Sequence, residues 1–509
     1  MRRRGPSGSQ GSQTSKGVLG KEPCSKNSKF VERKTQRDRE WRAPSPLQLQ
    51  SAIPAWSFEL DDTERFLLDH YIQRFSRVYP TCSDPSNPFL RVFLPLSVRS
   101  RAVLDALLAL SGVQCWENGS FTLGARLLRV RQNALRSCIE LVEGVTHSSQ
   151  TQHCPLEFAF SGPEKADSTI EWAIDCTDAT RREEVLHLLA SCVLFMLYEK
   201  LAGEGGRHGS PHLQFLARIL PANVIRATTR ASPPGGSGNR IWSDEFQFLA
   251  SLFLYNDLVW STSLGTPTLF DLYLHLEEGA VATHDEFSQD RGSSYSSRRF
   301  QFPHIIARIS AGDRGVTDAE IASWQGTLDW LPSFALAPHK KRQAHCPVPI
   351  SEPALVMDPR FRFLGVIINL EGLDESGAIT ELYRVAAATY RRTSLSRCSV
   401  ETAPDGSAMD IDVCEQPVGN LASWAVQLIS HLPEGSVFEN SLLWPMGVIA
   451  KVLTASDTEE RQMVMNRLKS LERRFKMRNF CRVREYLEKV WTSSDMGEAV
   501  QDEEAVLFG

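Results

Sequence analysis

The chain has 509 residues, 42% apolar and 23% charged, with a net charge of −5. That balance fits an ordinary globular protein and excludes a fibrous chain or one disordered throughout. At roughly 150 residues per domain the length allows about three domains, or one large domain with insertions.

The net charge hides an asymmetry, because residues 1–45 hold 12 Lys or Arg against 4 acids and leave the remainder acidic. Rich in Ser, Gly and Gln, this stretch lacks the apolar surface that would offset its ordering entropy, so residues 1–58 read as a disordered basic arm. Arg2, Arg3, Arg4, Arg33, Lys34, Arg37 and Arg39 are its candidate nucleic-acid contacts or nuclear import signal. A merely solvated tail is the competing reading. The arginines after Met1 lead into no apolar segment, so no secretory signal is expected.

Helical periodicity begins at Asp61. The pair Asp61 and Glu64 makes a start signal, and Leu67, Tyr71, Phe75 and Tyr79 recur at every fourth position up to Pro80. Asn87-Pro88-Phe89 and Leu94-Pro95-Leu96 predict an irregular link. A second helix follows over about 97–116, with Leu104, Leu107, Leu108 and Ser111 on one face. The third, about 123–142, offers Leu127, Leu128, Ala134, Leu135, Cys138 and Val142 for burial, and its arginines read as a wet face.

Beyond a polar insertion at about 144–179, the most apolar helix spans 181–201, with His187 among its leucines as a core or boundary residue. No uninterrupted apolar run reaches the ~18 residues of a bilayer crossing, so no membrane partner is expected. Helices at about 211–220 and 244–261 follow, separated by a Pro/Gly/Ser linker at 223–240; 279–299, 335–357 and 393–418 read as loops. Near the end, 420–431 is a short helix and Pro445 suits the first turn of the next. Ser456 and Glu459 predict a capping box before a stripe of Val464, Leu468, Leu471 and Phe475, and Phe480, Val483, Leu487 and Trp491 define the last helix. Residues 496–509 form an acidic tail. The best strand candidate is Phe363 to Leu370. The pattern predicts an all-α fold over 59–495, a large multi-helix bundle or solenoid-like array of antiparallel helices with long disordered insertions.

The motifs of catalysis are missing. The eleven cysteines are never closer than 16 residues, so no C-x-x-C pair exists to seed a zinc site, and they read as reduced thiols. Gly203-x-Gly205 meets His208 where a third glycine is needed, and Gly235-Gly236-Ser237-Gly238 is followed by Asn239 rather than completing a nucleophile elbow. Asp410-Ile411-Asp412 is a weak metal fragment. Cys192 with His187 and Cys346 with His345 are nucleophile–base pairs with nothing to fix their geometry. No catalytic residue, cofactor or metal is expected.

Taken in order, the motifs resemble the fungal-specific transcription factor domain of the second type, the helical region behind the zinc cluster of many fungal regulators. The resemblance is carried by Phe66 to Phe75, Pro88-Phe89, Pro95, Ala106 to Ser111, Tyr198-Glu199, Phe253 to Asp257 with Gly265-Thr266-Pro267, Trp444-Pro445, Glu459-Glu460-Arg461, Asn479 and Trp491. It implies a nuclear regulator of target genes, with protein partners of the transcription machinery, a homodimer or a small-molecule effector. The chain departs from the family twice. Cys24 is the one cysteine before residue 60, so six thiolates are not at hand there: either the gene begins upstream, or the regulator acts on DNA through partners. Ile449-Ala450-Lys451 replaces a small Ala-Gly pair, which places close helix packing in question. Trp242, Phe253, Trp260 and Trp444 are either core or the lining of a ligand groove. A helical scaffold or cofactor without DNA contact is the alternative function.

Overall fold

A computed structural model of the protein describes residues 59–80, 87–116, 121–147, 179–203, 211–219, 244–269, 301–324, 331, 362–363, 366–367, 373–402 and 418–496. All lie in the second of the two units into which the chain divides, residues 54–509. Among the described residues the fold is all-α, apart from a two-residue antiparallel pairing of β1 (Arg362–Phe363) with β2 (Val366–Ile367) at the start of the strand candidate.

Helix α1 (Asp62–His70) opens with the expected capping box. The Glu64 N–H donates to the Asp61 carboxylate at 2.8 Å, and the Asp61 N–H donates to the Glu64 carboxylate at 3.0 Å. The chain then widens into a π-helical turn, Tyr71–Phe75, and closes through Ser76–Val78. Tyr71, Phe75 and Tyr79 stack at centroid distances of 5.6 and 5.7 Å, each pair worth roughly 0.5–1.5 kcal/mol beyond its burial. The link at 88–99 is not irregular: a π-helical Phe89–Phe93 runs into α2 (Leu94–Arg99). Pro88 caps that turn and Pro95 falls in the first turn of α2, where a missing N–H breaks nothing. The expected second helix is two, because Ser100 is extended (φ −132°, ψ 120°) and separates α2 from α3 (Arg101–Trp116).

Every residue from Ala102 to Cys115 is buried, which makes α3 the central helix. It packs against α4 (Phe121–His147) and α5 (Ala179–Ala202). A Cβ on Gly112 would lie 2.8 Å from Leu127 Cδ2, so a side chain there would have to push the Leu127 tip aside where α3 meets α4. Leu127, Ala134, Cys138 and Val142 are buried as expected; Leu128 is not, being 52% exposed because it sits one position round from the α3 contact. Within α5, Glu183–Ala202 is long and apolar enough to cross a membrane by length and composition, but 83% of that stretch is buried in the protein. The expectation from uninterrupted runs overlooked it because charged residues lie at its ends. It packs against α6 (Pro211–Ile219) and α7 (Asp244–Leu264).

The second half continues through α8 (Gln301–Ser310), α9 (Asp318–Ser323), α10 (Glu375–Thr402), α11 (Val418–His431), α12 (Leu443–Ala450), α13 (Thr458–Phe475) and α14 (Arg478–Asp495). The loop expected from 393 is helical to Thr402, as the last turns of α10. Residues 148–178, 220–243, 270–300, 332–361 and 403–417, and with them most of the expected loops, lie outside the described residues. The Ser456 capping box does not form: Asp457 is the N-cap of α13, and its carboxylate turns back to the Thr454 N–H at 2.7 Å. The stripes of α13 and α14 are buried as the spacing predicts.

Contacts distant in sequence close the bundle. Helix α14 packs on α5, the Gln114 amide of α3 donates to the Phe475 carbonyl at 2.9 Å, and Asn440 donates to the Tyr79 carbonyl at 2.7 Å. Despite Ile449 and Ala450, α12 packs closely: both residues are fully buried, and the Trp491 indole donates to the Ala450 carbonyl at 2.9 Å.

Candidate interaction surface

The residues that carry the family resemblance form the frame of the bundle. Asn87 donates to the Ser76 carbonyl at 2.6 Å and accepts from the Phe89 N–H at 2.9 Å, while the Tyr71 hydroxyl donates to the Phe89 carbonyl. Buried Phe89 and Phe93 meet Phe248 of α7 edge-on at 5.6 Å. Tyr198 lies under the Arg131 guanidinium, and Glu199 holds His212 at 2.7 Å against the Phe195 ring. Asp257, 1% exposed, accepts from the Leu269 N–H at 2.9 Å and so fixes the turn after α7, where Gly265 has φ +67° and Pro267 is exposed. Trp444 donates its indole N–H to Thr262 Oγ1 at 2.7 Å and packs against Phe302 and Tyr383, with Pro445 buried beside it. Arg461 grips Asp495 through two nitrogens at 2.8 and 3.0 Å and lies over the Trp491 ring at 5.0 Å.

Phe253, Trp260 and Trp444 are therefore core, not the walls of a groove; Trp242 and the arm residues Arg2, Arg3, Arg4, Arg33, Lys34, Arg37 and Arg39 lie outside the described residues. Among the described residues no group of three His, Cys, Asp or Glu is placed to hold a metal ion. Cys192 lies against Cys138 across the α4–α5 contact rather than pairing with His187, and that neighbouring thiol, together with burial, pushes its own thiol pKa up, away from nucleophilic use. His187, five residues earlier on the same helix, faces Glu183 at 3.8 Å, and burial lowers its pKa.

Among the buried charges that the sequence does not advertise are those at Glu439, Glu381 and Lys200. Glu439, 1% exposed, receives Arg467 at 3.3 Å and Arg474 at 2.5 Å, tying α13 to the turn before α12; burial raises its carboxyl pKa against those cations. Glu381 and Arg384 pair within α10, and Arg384 reaches the Trp324 carbonyl. Lys200 of α5 has among the described residues one hydrogen-bond acceptor, Asn256 Oδ1 at 2.9 Å, and the Tyr255 ring at 5.2 Å, with no carboxylate. Burial lowers its pKa to about 7.

A charged concavity that faces solvent lies where α13 turns into α14. Residues 467–484 hold eight Lys or Arg and a single acid, Glu472. Arg467 and Arg474 are spent on Glu439, Arg484 on Glu472 at 3.2 Å, and Arg482 packs against Gly203. Lys469, Arg473, Lys476 and Arg478 remain exposed and line a groove of about 890 Å³ together with Glu434, Asn466 and Met477. Lys476 takes a left-handed conformation (φ +52°) that swings the chain from one helix into the next. Sequence reading missed these four, although the run of positive charge was visible, because a helical stripe of cations reads first as a solvated face.

Comparison with known proteins gives one family. The profile of the fungal specific transcription factor domain matches residues 66–333 and 345–506, most of the chain. The chain belongs to this family. No curated protein and no solved structure matches. The fungal specific transcription factor domain therefore includes both the frame residues described above and the α13–α14 groove, and the role it supports is regulation of transcription.

Proposed function

We propose that this fungal specific transcription factor domain protein works in the nucleus as a regulator of a defined set of genes, such as a metabolic cluster. Its helical body serves contacts with proteins or ligands and carries out no reaction of its own. The single observation behind this reading is the family match over 66–333 and 345–506, with Phe89, Asp257, Trp444 and Arg461 of the frame buried in one closed bundle. The buried titratable groups support it as well. Glu439, Glu381 and Arg461 are committed to ion pairs that hold the frame together. A fluorescent fusion of the full chain tests the proposal: nuclear accumulation under at least one growth condition supports it, and exclusion from nuclei under every condition contradicts it.

A further inference from the structure

We propose that Cys138 of α4 and Cys192 of α5 form an oxidation site, which a small two-electron oxidant, hydrogen peroxide, converts into a disulfide that locks the two helices together. The inference does not depend on the regulator reading above and gives the helical body a covalent state of its own.

Helix packing brings these two sulfurs together. Cys138 lies on the buried stripe of α4, one turn from Ala134 and one from Val142, and Cys192 lies on the stripe of α5 between Leu188 and Met196. The two helices pack on each other, and the thiols, both free, meet in hydrogen-bond contact across the interface at 5% and 1% exposure. Two other cysteines have described side chains. Cys481 donates to Glu485 at 3.1 Å on α14, and buried Cys115 has Arg74 as its charged neighbour, so both serve as internal controls.

The chemistry runs in two steps. The sulfur of Cys138, the less buried of the pair, attacks one peroxide oxygen; the O–O bond breaks, and water leaves with the thiol proton, which gives a sulfenic acid. The sulfur of Cys192 then attacks that sulfur, the S–O bond breaks, and the hydroxyl leaves as a second water with the Cys192 proton. Two thiols are oxidised by two electrons and the peroxide is reduced to water. The raised pKa of Cys192 makes it a poor target for a dilute oxidant, but against a sulfenic acid that it touches the step is intramolecular, and proximity outweighs the loss. The site also selects the product. Oxidation onward to a sulfinic acid would place an anion in a buried position where the charge felt by Cys192 is the carboxylate of Glu199. A disulfide is neutral, so it fits where the sulfinate does not.

The test treats the reduced full chain with hydrogen peroxide in molar excess under native conditions. The reaction is quenched with catalase, free thiols are alkylated, and the protein is digested without reduction for peptide mass spectrometry. The Cys138–Cys192 linked peptide is expected as the main oxidised product at these two positions, and dithiothreitol should remove it. Because the bond closes the chain between residues 138 and 192 into a loop, the thermal midpoint of the oxidised protein is expected to rise by about 5 °C or more over the reduced protein. C192S, with C138A as a second variant, should abolish that rise; the linked-peptide readout needs no variant. Free thiols at both positions while Cys481 is oxidised overturn the proposal, as does sulfinic acid as the main product at either one. Preferential pairing of Cys138 or Cys192 with another cysteine overturns it too. A linked peptide with an unchanged or lowered midpoint overturns the lock, since the bond would then strain the folded contact.

Discussion

Replacing Lys200 with methionine removes a positive charge from the core while keeping most of the side-chain volume. Lys200 is 6% exposed, and burial lowers its pKa from 10.5 to about 7, so the unfolded chain holds the proton more tightly than the folded one. For a lysine lowered in this way, stability rises with pH across the window between the two values. The rise is about 1.4 kcal/mol per unit and the deficit is fully present below pH 7. At pH 7 the charged state penalises folding by about 4 kcal/mol, and at pH 9.5 by about 1.4 kcal/mol. The methionine variant escapes that penalty but leaves Asn256 Oδ1 without its donor, a loss of about 1–3 kcal/mol. Urea unfolding followed by tryptophan fluorescence is therefore expected to find K200M more stable than wild type at pH 7 by about 1–3 kcal/mol. Its advantage shrinks by about 3 kcal/mol at pH 9.5. The pH-dependent difference isolates Lys200 from the tyrosines and cysteines that titrate in both proteins. A difference that stays constant between the two pH values refutes the reasoning, because it means the amine is solvated or paired in the folded chain.

Other substitutions probe the packing. Leu127→Ala is expected to lower stability by about 2–5 kcal/mol and Leu128→Ala by less than about 0.5 kcal/mol, since only the first is buried; equal effects in denaturant melts would contradict the register of α4. Glu439→Ala removes the buried carboxylate that Arg467 and Arg474 share and is expected to lose about 3–5 kcal/mol, whereas loss below about 1 kcal/mol would mean the pair is solvated. Thr262→Val keeps the shape but leaves the Trp444 indole N–H without its acceptor, for about 1–3 kcal/mol in the same assay. Asp61→Ala removes half the capping box of α1 and is expected to cost about 0.5–2 kcal/mol, with exchange protection lost first at the amides of Glu64 and Arg65.

Local rules recovered much of this fold. The four-residue recurrence of Leu67, Tyr71 and Phe75, and that of Val464, Leu468, Leu471 and Phe475, placed buried faces correctly because a helix facing a single core repeats its apolar positions. What local rules could not supply depends on partners far along the chain. Ser100 breaks a helix inside an apolar run, and the Ser456 hydroxyl pairs with Thr454 while Asp457 takes the N-cap position. Leu128 and Leu127 are alike in sequence and differ only by which side of α4 meets α3. Lys200, Glu381 and Glu439 are charged residues whose burial is decided by Asn256, Arg384, Arg467 and Arg474. The candidate groove lay in plain view as a charge run, but its meaning came from seeing which cations are already paired.

Chromatin immunoprecipitation of the tagged full chain, read with transcript levels in cells lacking the gene, tests the regulatory role most directly. The account predicts enrichment at discrete loci whose transcripts change when the protein is removed. Background-level occupancy across the genome together with unchanged transcripts, under conditions where the protein is present, would contradict it.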